Sequence, residues 1–200
     1  MSSFHNVYGL RDFEARFGPV VGSGPPTTTA KDILGDVYRD VLAETTAIVS
    51  HQWANGIKRS AVKGFFFAGP PGIGKTSLVW RIAYELRSRF GVPEAHAPRT
   101  DGVTVNGDDT VVMALIDGAE IARARYGESE ERIREAFALA QSGFQRQGQR
   151  SVLLFDDVES IFMARGSDHA KEWHFSQDSV FFHAVDELDT SRTVICLTSN

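Results

Sequence analysis

The sequence predicts an α/β fold, a parallel sheet of short apolar strands covered by helices on both faces to give three layers. Two observations predict it. Apolar runs of strand length recur at 64–68, 111–116, 151–156 and 193–198, and segments with helical spacing of their apolar residues alternate with them. Strands that alternate with helices pair in parallel, because each connection must cross back over the sheet.

The elements follow in order. Residues 1–30 start with a mixed segment and then run through Gly22, Ser23, Gly24, Pro25, Pro26 and three threonines, so they are expected to be an N-terminal segment and flexible linker ahead of a domain spanning 31–200. Val37, Val41, Leu42, Ile48 and Val49 recur near helical spacing up to the stop signal Asn55-Gly56, which predicts a helix over 36–54. The aromatic run at 64–68 begins at Gly64 and runs up to Gly69 and reads as a buried strand. Beyond a glycine-rich turn, Leu78, Val79, Ile82, Ala83 and Leu86 share one helix face, and Gly91 with Pro93 ends that helix. Residues 91–110 have no period and read as a surface excursion. Helices are expected at 128–142, with Ile133, Ala136, Phe137 and Ala140 as its buried stripe, and at 177–188.

Composition excludes several function classes. The chain is 42% apolar, enough for a core, and its 21 basic and 26 acidic residues give a net charge of −5 with no basic block. Nucleic acid is therefore not the expected partner. Cys196 is the one cysteine, so no intrachain disulfide forms, and the first residues lack a signal-peptide core. An intracellular, most simply cytoplasmic, location follows. No apolar run approaches the roughly 18 residues of a membrane span. His169, His174 and His183 match no compact metal-binding spacing, and Cys196 reads as a small buried hydrophobe.

The chemistry concentrates in two strings. Gly69-Pro70-Pro71-Gly72-Ile73-Gly74-Lys75-Thr76 fits G-x-x-x-x-G-K-[ST] between a predicted strand and a predicted helix, the context in which such a loop wraps phosphates. Its glycines let backbone N–H groups turn inward, Lys75 brings a mobile charge to the β- and γ-phosphates, and Thr76 offers a hydroxyl to Mg²⁺ at a helix N-terminus. Pro71, Gly72, Ile73, Gly74, Lys75, Thr76 and Ser77 form the expected phosphate-binding set for ATP. About 80 residues later, Val152-Leu153-Leu154-Phe155 is followed by Asp156-Asp157. This places two carboxylates where a strand leaves the sheet, with Asp156 set to hold Mg²⁺.

With these motifs the chain resembles the AAA+ ATPases, and more narrowly their protein-remodelling AAA clade. GPPGIGKT is similar to their Walker A and VLLFDD to their Walker B. Tyr126-Gly-Glu-Ser-Glu130 resembles pore loop 1, Leu197-Thr-Ser-Asn200 resembles sensor 1, and Asp32-Ile33-Leu34-Gly35 resembles the segment that packs on adenine. The resemblance covers about residues 31–200. It implies a P-loop NTPase sandwich of strand order 5-1-4-3-2, ATP and Mg²⁺ as cofactors, and a ring homo-oligomer, typically a hexamer, that couples ATP hydrolysis to remodelling or threading of a protein client. By the same resemblance Ile33, Leu34 and Gly35 contact the base, Asp157 polarises the attacking water, and Asn200 positions it.

Three departures from the family pattern matter. The second Walker B carboxylate is Asp157 where relatives carry Glu, shortening its reach by ~1.5 Å. Arg125 takes the place of the usual pore-loop aromatic, with Tyr126 next to Gly127. The sequence also stops at Asn200, so the fifth strand, arginine fingers and helical lid are not encoded. The resemblance thus implies a piece of a longer product, inactive alone, with the phosphate-loop strand left as an apolar sheet edge. An ATP-dependent switch or assembly module with slow hydrolysis stays open beside the remodelling reading. A small-molecule kinase would share the phosphate loop but leaves YGESE and LTSN unexplained.

Overall fold

The computed structural model describes residues 6–17, 35–91, 111–123, 128–144, 149–162 and 172–200. In chain order they form β1 (Val7–Tyr8), α1 (Leu10–Phe17), α2 (Asp36–Ala54), β2 (Gly64–Ala68), α3 (Lys75–Phe90), β3 (Val111–Asp117), α4 (Gly118–Arg123), α5 (Glu128–Ser142), β4 (Arg150–Asp156), a 3₁₀ turn at Val158–Ser160, α6 (Glu172–Asp186) and β5 (Thr193–Ser199). One sheet runs in the order β1-β3-β4-β5-β2. The pairs β3–β4, β4–β5 and β5–β2 are parallel, and β1 alone is antiparallel. The order β3-β4-β5-β2 is the expected 2-3-4-1 part of the family sheet.

Side-chain alternation along the strands builds the three layers. Val111 and Met113 of β3, Val152 and Leu154 of β4, and Val194 and Cys196 of β5 point to one face, where they join Leu42, Val49 and Trp53 of α2 and the apolar side of α3. Ala114, Ile116, Leu153, Phe155 and Ile195 point to the other, against Ile121 of α4, the predicted stripe of α5 and Phe181 of α6. A two-residue period therefore feeds both cores at once, as in any sheet buried on both sides. Burial pushes the Cys196 thiol up to about 12, the expected behaviour of a cysteine used for packing.

Three expectations are corrected. The aromatic run of β2 is not fully buried, because β2 lies at the sheet edge and pairs only with β5 among the described residues. Phe65 and Phe67 pack on the core, whereas Phe66 is 60% exposed. The last helix begins at Glu172 rather than 177 and ends at Asp186.

The third correction concerns the N-terminus. Residues 7–17, expected within a segment and linker, are docked on the domain. Tyr8 pairs with Met113 in the sheet, and its ring lies 4.5 Å from that of Trp80. Phe13 is fully buried, edge-on to Trp80 at 5.9 Å, and Phe17 meets Tyr84 at 5.2 Å. The Gly9 N–H donates to the Asp12 carboxylate at 2.8 Å, closing the first turn of α1. The proline- and threonine-rich part of the expected linker lies outside the described residues.

Because α1 is anchored mainly by one fully buried ring, Phe13→Ala should lower unfolding free energy by about 3–5 kcal/mol in urea denaturation. A loss below about 1 kcal/mol would show that α1 contributes nothing to the core.

Candidate nucleotide site

The site forms where β2, β4 and β5 end and α3 begins, the edge at which parallel sheets open to ligands. The loop from Gly69 to Gly74 turns tightly between β2 and α3. Gly72 and Gly74 hold φ of 78° and 94°, and a Cβ at either would meet nothing within 4 Å. Backbone conformation, not crowding, is what demands glycine there. The Tyr38 hydroxyl of α2 donates to the Ile73 carbonyl and pins the tip of the loop.

Lys75, 8% exposed, donates to the Gly69 carbonyl at 2.7 Å, the Pro70 carbonyl at 3.0 Å and Asn200 Oδ1 at 2.8 Å. All three ammonium protons are thus engaged. Thr76 Oγ1 lies 2.9 Å and 3.2 Å from the two oxygens of Asp156, and the Thr198 hydroxyl donates to the same carboxylate. Thr198 Oγ1 in turn accepts from the Asp157 N–H at 3.2 Å. One threonine therefore ties both aspartates to β5.

Asp157 sits in the left-handed region at φ 53°, ψ 54° and is exposed. Aspartate tolerates this conformation better than most residues, at a cost of about 1 kcal/mol. The turn also approaches Gly118 closely: a Cβ on Gly118 would stand 2.4 Å from the Asp157 carbonyl oxygen and 2.9 Å from that of Asp156. Asn200 Nδ2 donates to Asp157 Oδ1 at 2.9 Å, so its amide spans from the Lys75 ammonium to the Asp157 carboxylate. The Asn200 N–H donates to Glu159 at 3.1 Å. Burial acts to raise the Glu159 pKa, but hydrogen bonds from its own and the Asn200 N–H groups and from the Ser199 and Asn200 side chains outweigh it and hold the group below the usual glutamate value.

Lys75, Thr76, Asp156, Asp157 and Asn200, all expected from the sequence, therefore meet in one network. Pro71, Gly72, Ile73 and Gly74 form the loop above it, and Ser77, exposed on the first turn of α3, accepts from Arg16 Nη2 at 3.4 Å. Gly35 caps the N-terminus of α2 at φ 88°, one turn before Tyr38. Ile33, Leu34 and Tyr126 lie outside the described residues. Sequence reading missed Tyr38, Gly118 and Thr198. Thr198 had a signal, a hydroxyl at the polar end of a buried strand; a tyrosine one turn into α2 carried none.

The comparisons agree with this geometry. The family model "ATPase family associated with various cellular activities (AAA)" matches residues 65–200. A Corynebacterium kroppenstedtii protein named "AAA ATPase forming ring-shaped complexes" is 27% identical over 68% of this chain and 21% of its own length. A "Proteasome-associated ATPase" of Jonesia denitrificans is 35% identical over 56% of this chain and 18% of its own. The "Vesicular-fusion protein SEC18" of Saccharomyces cerevisiae is 31% identical over 54% of this chain and 12% of its own. The match thus spans about a fifth or less of each relative.

Thr198→Val keeps the shape but removes the hydroxyl, leaving the Asp157 N–H and an Asp156 oxygen without that partner. Unfolding free energy should fall by about 1–3 kcal/mol in chemical denaturation, with most of it restored in Thr198→Ser. A valine variant as stable as the parent would refute the bridging role.

Proposed function

Because the chain belongs to the ATPase family associated with various cellular activities (AAA), we propose that it binds ATP with Mg²⁺ at the Lys75 site and serves hydrolysis of the γ-phosphate. The observation that carries this reading is the continuous contact from Lys75 through Asn200 to Asp157. It links a cation suited to the phosphate with a carboxylate suited to the attacking water.

The donor set fits the cofactors. A threonine hydroxyl and a carboxylate 2.9 Å apart are hard oxygen ligands of the kind Mg²⁺ takes, so Thr76 and Asp156 would hold it. When bound, ATP and Mg²⁺ supply the phosphoryl group and neutralise charge across the β- and γ-phosphates. The rest falls to the chain. Pro71, Gly72, Ile73, Gly74 and Ser77 line the phosphate path, and Ile33, Leu34 and Gly35 take the base. Lys75 exchanges one of its present acceptors for a phosphate oxygen. Asn200 Nδ2 orients the Asp157 carboxylate, which accepts the proton of the attacking water.

For the whole protein we propose a ring-shaped homo-oligomer, a hexamer, acting on a protein client from within the cell, with residues 31–200 as its nucleotide-binding unit. Similarity to one ATPase that forms ring-shaped complexes and to another that associates with the proteasome supports this reading. No described helix is long and apolar enough to cross a membrane. A slow ATP-dependent switch is the second reading, favoured by the short arm of Asp157.

Variants of the full-length protein test the assignment. Lys75→Ala should weaken binding of a fluorescent ATP analogue at least tenfold. Asp157→Asn should spare binding and lower single-turnover hydrolysis by about 10²–10⁴-fold, whereas Glu159→Gln should change it little. Equal losses in both carboxylate variants would move the base role away from Asp157 alone.

Restoring glutamate tests the turn itself. Asp157→Glu should lower stability by about 1 kcal/mol, because glutamate is less at ease in the left-handed region. Thermal denaturation reads this, and an unchanged midpoint would show that the conformation exerts no selection on residue 157.

A further inference from the structure

At the opposite end of the sheet, where β4 and β5 begin and α2 ends, lies a cavity of about 480 Å³ whose lining includes Trp53, Lys58, Arg150, Asp189, Ser191 and Arg192. The seven residues of β4 run from Arg150 at the cavity to Asp156 at the nucleotide site, roughly 20 Å at strand rise. Lys58, Arg150 and Arg192 bring three positive charges and Asp189 one negative, three minus one leaving two positive. Asp189 Oδ1 is occupied by the Ser191 N–H at 2.9 Å and Ser191 Oγ at 2.6 Å. Among the described residues, none of the three cationic side chains makes an ion pair.

Arg150 is the centre of the arrangement. Its guanidinium lies 4.7 Å from the Phe90 ring centroid and 6.0 Å from that of Trp53. Its Nε is buried without a hydrogen-bond partner among the described residues, and so is Trp53 Nε1. Burial first, and then the charge of Arg192, hold the Arg150 pKa below the usual arginine value. A desolvated cation with a second cation beside it, in a lining whose one acid, Asp189, is bonded to Ser191, is unfavourable unless an anion completes it.

We propose that this cavity is a second anion site, binding a phosphate group through Arg150, Arg192 and Lys58. Two net positive charges match a phosphate dianion better than a single carboxylate. A guanidinium fork is also the donor suited to tetrahedral oxyanions, and it stays charged at any pH of interest.

The test is titration of the full chain with inorganic phosphate at constant ionic strength, read by calorimetry and thermal denaturation. Phosphate raises the stability of most proteins by exclusion, so comparison among variants decides the matter. Saturable binding is expected in the parent and in Lys75→Ala, weakened at least tenfold in Arg192→Gln and Arg150→Met. In phosphate-free buffer Arg150→Met should melt higher than the parent, because the unpaired charge is gone. Arg192 is exposed, so Arg192→Gln carries the test should the strand variant not fold. Succinate should bind at least tenfold more weakly than phosphate. Equal responses in all four proteins, loss confined to Lys75→Ala, or succinate binding as tightly as phosphate would each overturn the proposal.

Discussion

The carboxylate of Asp156 is the constraint on which the site depends. Thr76 reaches it from the first turn of α3, Thr198 reaches it from β5, and it stands itself at the last residue of β4. Three elements that are distant in sequence therefore have their relative heights fixed at one group. A shift of one residue in the β4–β5 register, now set by pairs such as Leu153 with Ile195, would turn Thr198 to the other face and separate the aspartates from the strand. The parallel sheet supplies the height and the hydroxyls supply the lock.

Much of this was legible in the sequence because it rests on local patterns. The bounds of α2, α5 and β2 follow from helical spacing, caps and the apolar run, and the phosphate loop and the paired aspartates are contiguous strings. What was not legible depends on contacts between distant segments. β1 pairs over two residues and α1 has eight, too short for a period to stand out, and Phe13 acquires its meaning only from Trp80. Gly118 is needed because the turn after β4 passes close to it, a crowding no single stretch of sequence displays. Phe66 looked like core because it is aromatic; its exposure reflects the position of β2 in the sheet order. Arg150 reads as an ordinary polar residue at a strand start until Phe90 and Trp53 are seen beside it.

Docking of α1 also meets the unusual polar side of α3 at Arg81. Arg81, Glu85 and Arg87 are each about 5% exposed or less, although they lie on a helix that would otherwise offer a solvated side. Arg81 Nε donates to Glu85 at 3.0 Å, and its guanidinium lies 5.3 Å from the Phe17 ring and 4.9 Å from the Tyr84 ring. Burial raises the Glu85 pKa even though Arg81 and Arg89 oppose the shift. Such a pair adds little net stability over an apolar one. It does fix orientation: α1 seats only where its aromatic residues meet Trp80, Tyr84 and the guanidinium together.

The two-residue strand β1 has a consequence for behaviour at high concentration. Its pairing with β3 consists of the registers Val7 with Ala114 and Tyr8 with Met113, plus one further bond from the Leu115 N–H to the Asn6 carbonyl. A contact this small opens at far lower free energy than the central sheet. Behind it stands Val-Val-Met-Ala-Leu-Ile, six consecutive apolar residues with no charge before Asp117 and no proline. That is the composition of a strand that adds to others once its edge is bare. The N-terminal residues thus cover an apolar edge: whenever the eleven residues Val7 to Phe17 lift away, β3 is bared for pairing with another chain.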